Sequence, residues 1–341
     1  MQKTDILKEA EYCTASFLCM LGGYFLRSIR FNITEEDDGS RVDSFLRHRH
    51  GISGRVIIAL KKLPDGMLKN GVHVRTVDLL HTGDVLEINL PEHQKRMPTC
   101  DTPVDILYED NDVIVFNKPA NMPVHQSGGH IFGTLDGVYA AHCQKSGNIT
   151  PFRAINRLDK DTTGAVVVAK NQIAAGVLWK AVTKRYYCIA SGRFEQKQGT
   201  IDLPIEREFP MEMKRIVTPD GQQAITHYKV LAECKEASLV ECILETGRTH
   251  QIRVHMSHMG HPLLGDEMYG TIHPHISRQA LHCGKVFFSK PISNESVEIY
   301  APFPPDFIHL MSVYSMSQSV DMPQELCDNS TIRNLQELSN L

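Results

Sequence analysis

The 341-residue chain contains no apolar run approaching the roughly 18 residues that a membrane-spanning helix requires. It has no G-x-G-x-x-G turn and no P-loop, so nothing in it points to a dinucleotide or a nucleoside triphosphate. Internal repeats are missing too. The nine cysteines, at 13, 19, 100, 143, 188, 234, 242, 283 and 327, never pair as Cys-x-x-Cys. Their scatter and odd number argue against a zinc ribbon and a disulfide framework, and predict reduced thiols in a cytoplasmic protein. No excess of positive charge is present either. The net charge is −4, which taken alone argues mildly against a nucleic-acid partner. The N-terminus lacks the basic start and small-residue cleavage site of a signal peptide. Its moderately apolar stretch, Ala15 to Leu26, is interrupted by Gly22 and Gly23. Residues 1–30 therefore read as an added helix or an unstructured extension, with Met20 an alternative start of translation.

The distribution of charge says more than its sum. Residues 41–99 carry ten Lys or Arg against six Asp or Glu, a local net of +4. A basic face can thus coexist with an acidic total. Residues 31–93 read as a small α+β module. Val42, Phe45 and Leu46 have helical spacing, and Ser53 is placed to cap a second helix through Val56, Ile57, Leu60 and Leu63. Turn residues at Pro64-Asp65-Gly66 and Asn70-Gly71 precede expected strands at 72–74 and 85–90. The polar, two-proline stretch after them is a linker, taken as 94–103. A large domain spans 104–311, with strands expected at 113–117, 165–169, 186–190, 226–231 and 239–244. A helix is expected over 171–184 with Asn171 as its N-cap. The Ser-, Gln- and Asn-rich tail, 312–341, has the composition of a disordered segment.

Three segments carry residues suited to chemistry. The first, NRLDKDTTGAVVVAK at 156–170, puts Arg157 and Asp159 where a charged loop runs into a buried strand. By itself it reads more readily as a surface loop with Asp159 solvated or capping a turn. The second, GRTHQIRVHMSHMGHPLLGD at 247–266, suggests a short helix from a Thr249 cap to a stop at Gly260, with Arg253 on its first turn and Ile252, His255/Met256 and Met259 on one face. Its histidines, 250, 255, 258 and 261, lack a nearby carboxylate or cysteine to complete a ligand set, so no metal is expected. The third, KRYYCIASG at 184–192, is a strand whose tyrosines, Tyr186 and Tyr187, must face opposite ways.

Together, in this order and spacing, the segments resemble the RluA-like family of RNA pseudouridine synthases. The resemblance runs from about Ile106 to Phe307 and includes ILYEDNDVIVFNKPANMPVHQS, NRLDKDTTG, GQQAITHY, GRTHQIRVHMSHMGHPLLGDEMYG and LHCGKVFFSKP. It implies an α+β catalytic domain built on a mixed, largely antiparallel central sheet with flanking helices and loops. The module before it resembles, more loosely, an αL-type RNA-binding module. The implied activity is cofactor-free isomerisation of a specific uridine to pseudouridine in structured rRNA or tRNA, with base flipping. The enzyme would be monomeric, cytoplasmic and free of membrane or obligatory protein partners.

Residue by residue, the resemblance implies that Asp159 is the catalytic carboxylate, that Arg253 pairs with it, and that Tyr186, also catalytic, stacks on the uracil and helps with the proton at C5. It implies RNA contacts for Arg157, which would enter the helix the uridine leaves, and for Asn156, Arg248 and His125. Asn156 stands where the family usually has histidine, and Lys290 replaces a histidine before Pro291. Two other readings fit parts of the sequence. One is an RNA-assembly factor without catalysis. The other is an aspartate-nucleophile glycoside hydrolase with Asp161 as its second carboxylate.

Overall fold

The computed structural model describes residues 19–21, 24–92, 98–126, 132–147, 150–291, 293–316 and 323–327. The first unit is a five-stranded sheet with two short helices. Its elements are β1 (Cys19–Leu21), β2 (Tyr24–Asn32), α1 (Val42–Ser44), α2 (Gly54–Leu60), β3 (Met67–Lys69), β4 (Val72–His73) and β5 (Val85–Glu92). The strand order is β1-β2-β5-β3-β4. Helix α1 continues as a wider π-helical turn over Phe45–Arg49. Ser53 caps α2 by accepting the Val56 N–H, and Leu63 lies beyond the helix. Asn70 and Gly71 both have positive φ, the requirement of a tight hairpin turn between β3 and β4.

Strand β2 corrects the reading of the N-terminus: residues 24–26 are strand, neither helix nor unstructured. Ile29 and Phe31 alternate inward on β2 and Leu86, Ile88 and Leu90 on β5, so each strand buries one face of a shared core. The expected extension over residues 1–18 lies outside the described residues. Ile173, from the large unit, completes the small unit's core.

The large unit holds β6 (Ile106–Glu109), β7 (Val113–Lys118), α3 (Leu135–Ser146), β8 (Arg153–Ala154), β9 (Thr163–Ala169), α4 (Gln172–Ala181), β10 (Thr183–Ser191), β11 (Gln198–Asp202), β12 (Ile205–Arg207), β13 (Arg215–Val217), β14 (Ile225–Glu233), β15 (Ala237–Leu244), α5 (Gln251–His258), β16 (Leu281–Ser289), β17 (Ser296–Tyr300) and α6 (Pro305–Val313). Ten of the strands form one sheet in the order β11-β14-β15-β10-β16-β9-β7-β6, with β17 on β16 and β8 on β9. All pairs are antiparallel except β16 with β9. The mixed, largely antiparallel α+β fold is therefore as the sequence implied.

Strands β7 and β9 are buried on both faces, which is why 113–116 and 165–169 are unbroken apolar runs. Tyr186 and Tyr187 fall into separate cores on opposite faces of β10. Asn171 caps α4 by accepting the Ala174 N–H, but the helix ends at Ala181. Val182 is already extended, and residues 183–184 start β10, whose pairing with β16 claims them.

The parallel junction of β16 and β9 sets the base of the loop that carries Asp159. It joins His282 to Thr163 and Cys283 to Gly164. Gly164 has φ +112, and a Cβ there would lie 2.2 Å from the Cys283 carbonyl oxygen. Only glycine lets the two strands approach so closely. The tail is more ordered than its composition suggests. Ser312 and Val313 belong to α6, Leu326 is buried, and its carbonyl accepts the Phe303 N–H. Residues 317–322 and 328–341 lie outside the described residues. Among the described residues, no helix is long and apolar enough to cross a membrane.

Candidate active site

The loop from β8 to β9 carries Asp159, and its backbone is tied down almost residue by residue. The Lys160 carbonyl accepts from Met122 N–H and from Lys118 Nζ at 2.9 Å. The Asp161 carbonyl accepts from Arg278 Nη1, and its carboxylate accepts the Asn121 N–H. Thr162 donates its N–H to the Asp159 carbonyl and accepts from Gln279 Nε2. The Asp159 carboxylate, 27% exposed, projects from this pinned turn.

Arg253 reaches Asp159 from the first turn of α5. Its Nη1 donates to Asp159 Oδ2 at 3.2 Å. The rest of the guanidinium is held by Asp266, through Nε at 2.7 Å and Nη2 at 2.8 Å. Asp266 is fully buried, so the fork is a bidentate pair out of water. Burial opposes the charge of Arg253, but the hydrogen bonds and charges of Asp266 and then Asp159 outweigh it and raise its pKa above the ordinary arginine value. The guanidinium also sits 5.0 Å from the Tyr269 ring centre. Thr249 does not cap α5. The cap position is His250, left-handed at φ 59, and the Gln251 side chain accepts the Arg248 N–H instead. Met259, expected on the buried face, is exposed.

Asp159, Tyr186, Arg253, Arg157, Arg248 and His250 line one cavity of about 80 Å³. Burial pushes the Tyr186 phenol well above 10, with Cys283 and Asp159 adding to the shift. Arg157 is exposed at the rim. Arg248, also exposed, donates Nε to the Gln223 carbonyl. Arg248 and Gly247 also border a wider groove of about 450 Å³, with Arg207, Arg215 and Gln222 on its walls. His125 packs edge-on against Phe152, 3.9 Å from buried Asp136, and is not among the residues lining the cavity. Burial lowers its pKa, and the Arg157 charge acts in the same direction.

Asn156 departs from its expected place at the RNA surface. It is buried, its amide donates to the Ala165 carbonyl, and its carbonyl oxygen accepts the Val167 N–H. Both ends of the side chain are occupied by β9, so Asn156 sets the loop rather than touching a ligand. Two other histidines of the second segment, His255 and His261, are also committed to protein partners. His255 lies between Thr226 and the Leu203 carbonyl, and His261 stacks on Phe194 while bonding the Ser191 carbonyl.

Three residues of the site do not stand out in the sequence. Asp266, there no more than a remote carboxylate beside the histidines, anchors Arg253. His250 stands 3.9 Å from Asp159. Lys118, fully buried in an apolar strand, donates to three carbonyls, those of Pro119, Met122 and Lys160. Burial pulls its pKa to about 7, while three acceptors match the three N–H bonds of an ammonium and favour the charged form. A lysine interrupting a buried β pattern was the available signal.

This arrangement suits chemistry at a sugar carbon: a carboxylate of fixed rotamer, an aromatic wall and a cationic rim. Residues 112–258 match the family model described as RNA pseudouridylate synthase. Over 268 residues the chain is 39% identical to YjbO of Bacillus subtilis, named an uncharacterized RNA pseudouridine synthase, covering 76% of this chain and 95% of that protein. It is 39% identical over 238 residues to the ribosomal large subunit pseudouridine synthase D of Vibrio vulnificus, covering 64% and 73% of the two chains. The solved human RNA pseudouridylate synthase domain containing 4 superimposes with a TM-score of 0.52 at 25% identity, covering 64% of this chain and 94% of that one. The chain belongs to the RluA-like family of RNA pseudouridine synthases, isomerases that convert uridine in RNA to pseudouridine.

Proposed function

We propose that Asp159 is the carboxylate that drives this isomerisation, on a uridine flipped out of large-subunit ribosomal RNA. The observation that carries the proposal is the Asp159–Arg253–Asp266 chain of charges, which fixes one carboxylate in a cleft lined by an aromatic ring. Isomerisation breaks the bond from C1′ to N1, turns the uracil and joins C1′ to C5. The sugar carbon gains positive character as the first bond breaks. A carboxylate oriented by Arg253 meets that charge as nucleophile or counter-ion. Tyr186 forms a wall against which the freed uracil turns. Arg157, exposed beside Asp159, fills the space the uridine leaves and offsets part of the few kcal/mol that flipping costs.

The wider groove gives the flanking strand a path. Arg207, Arg215 and Arg248 are suited to its phosphates, and Arg215 Nη1 is buried there without a hydrogen-bond partner. The +4 segment of residues 41–99 adds a second, salt-sensitive contact. Large-subunit RNA is favoured because several similar proteins carry that substrate in their names. We propose a cytoplasmic, monomeric enzyme; the scattered thiols fit that compartment.

The test is Asp159→Asn, assayed by tritium release from RNA labelled at uridine C5. Release should cease while RNA affinity stays within a few-fold. Turnover near the normal rate would refute the assignment. Pseudouridine mapping in cells lacking the gene should show one or a few missing sites in large-subunit RNA.

A further inference from the structure

The Tyr269 hydroxyl, in the turn after α5, accepts the Arg215 N–H at 2.8 Å and has its own proton to give. His250 Nδ1, 2.9 Å away, takes it. Burial holds the His250 imidazole below its usual 6.5, so at pH 7 the ring is neutral and carries one hydrogen. With Nδ1 accepting, that hydrogen is on Nε2. His250 therefore enters the cleft as a donor, in the cavity it lines with Asp159, Tyr186 and Arg253. The ring is set there by a left-handed backbone, φ 59, a conformation uncommon for any residue with a Cβ.

Nε2 is 3.9 Å from Asp159 Oδ2, too far for a direct bond. A group joining the two must accept from an N–H and donate to a carboxylate, because an ionised carboxylate only accepts. A hydroxyl does both through one oxygen, whereas a uracil carbonyl cannot donate. With bonds of about 2.8 Å on each side, the two meet at the hydroxyl oxygen at roughly 90°, open enough for its lone pair and its proton to serve both. Asp159 works at C1′, so the hydroxyl within its reach is the one on the neighbouring carbon, C2′.

We infer that His250 reads the 2′-hydroxyl of the target nucleotide: Nε2–H donates to its oxygen, and the hydroxyl donates to Asp159 Oδ2. The inference rests on Asp159 acting at C1′ in this cleft. Arg253 bonds the same Oδ2, so Oδ1 is the oxygen that meets C1′. The two bonds set the ribose against the carboxylate. Hydrogen bonds to the hydroxyl beside a reacting sugar carbon also strengthen as that carbon becomes cationic. Deoxyribose leaves Nε2–H without its partner, and the 2′-hydroxyl is the group that separates RNA from DNA at a single site. Tyr269 is a positioning residue, which fixes the nitrogen that carries the hydrogen.

The experiment uses the full chain and a short large-subunit RNA carrying a uridine that the wild-type enzyme converts, with ribose or 2′-deoxyribose at that uridine alone. The measure is kcat/KM on ribose divided by kcat/KM on deoxyribose. What the missing hydroxyl does to the sugar itself is common to every variant and cancels when the ratios are compared. The ratio should fall about tenfold in His250→Asn, the loss of one hydrogen bond. Asparagine tolerates the left-handed backbone but is too short to bring a donor to the hydroxyl. His250→Gln, whose amide nitrogen reaches nearly as far as Nε2, should restore most of the ratio. Tyr269→Phe should lower it, because the ring can then place its hydrogen on Nδ1. A histidine that only steadied Asp159 would slow both substrates alike, so an unchanged ratio in H250N overturns the inference. Asp159→Asn should convert neither substrate, and conversion of both would refute the Asp159 reading instead. Should H250N fold poorly, the wild-type enzyme decides. Its His250 nitrogen shifts must show hydrogen on Nε2, and that signal must move when ribose RNA binds but not when deoxyribose RNA does. Hydrogen on Nδ1, or equal movement with both RNAs, overturns the inference.

Discussion

Arg253 bonds the Asp159 carboxylate with one nitrogen only, at 3.2 Å, and gives its other two donors to Asp266. The division makes Asp266 the anchor and Asp159 the lighter-held partner. A carboxylate gripped by the full fork would be rigid but poorly free to bond elsewhere. Held by one nitrogen and 27% exposed, Asp159 keeps an oxygen for the substrate.

Asp266→Asn is the first consequence. The substitution leaves Arg253 charged and buried with its main counter-ion gone. Breaking such a pair costs about 3 kcal/mol or more. The melting temperature should fall, and turnover should fall further than folding accounts for, because Arg253 swings towards Asp159. Unfolding curves with 5-tritium release on the folded fraction check this. Full specific activity would show that Arg253 needs no anchor.

Asn156→Ala tests whether that side chain holds the loop or touches RNA. The Val167 N–H and the Ala165 carbonyl would each lose a buried partner, at about 1–3 kcal/mol per group. Stability should drop while the RNA dissociation constant and its salt slope stay as they were. An RNA-contacting asparagine would give the opposite pattern, and filter binding across a salt series separates the two.

How far the sequence disclosed this site depends on range. Asp159, Arg253 and Tyr186 sit in local patterns: a charged loop before an apolar strand, an arginine on a short helix, a tyrosine pair on a strand. The family resemblance joined them, and the structure puts them in one cavity. What stayed hidden depends on contacts made across the fold. Asp266 lies 13 residues from Arg253 and meets it only because the chain after α5 turns back. Asn156 resembles a surface residue in sequence because β9, which takes both ends of its amide, comes after it and pairs with it only once folded. At the N-terminus, β2 is hard to see because its alternation falls mostly after Leu26, and its partner β5 is some 60 residues away.

Acid should destabilise the enzyme through His282. The ring is fully buried between Thr163 and the Ala301 carbonyl, and burial lowers its pKa from 6.5 to about 4. The unfolded chain therefore binds a proton between about pH 6.5 and 4 that the native chain does not. Stability rises with pH through that window, so this contribution is complete above 6.5 and lost as pH falls towards 4. It amounts to roughly 3 kcal/mol at most. Melting temperatures from pH 7.5 to 4.5 should show the slope, and His282→Gln should flatten it. An unchanged slope would assign the acid sensitivity to other groups.

Arg278 ties the Asp159 loop to the C-terminal helix. Its Nη1 donates to the carbonyls of Asp161, Gln279 and Leu281, while Nε and Nη2 grip the Asp306 carboxylate at 2.6 and 2.9 Å. Asp306 is 40% exposed, so solvent weakens the ion pair, and Arg278→Lys should cost only about 1–2 kcal/mol of stability. The larger effect should be on geometry, because a lysine lacks the fork that reaches loop and helix together. A shift of about 1 Å in the Asp159 turn can cost on the order of 10²-fold in rate. R278K should therefore lower kcat by at least tenfold with KM nearly constant, and Asp306→Asn should act in the same direction but less. The reason for the order is that Asp306 reaches the loop through Arg278, whereas Arg278 holds the Asp161 carbonyl itself. A variant that melts lower yet turns over at the full rate would show that Lys118, Asn121 and Gln279 hold the loop without it.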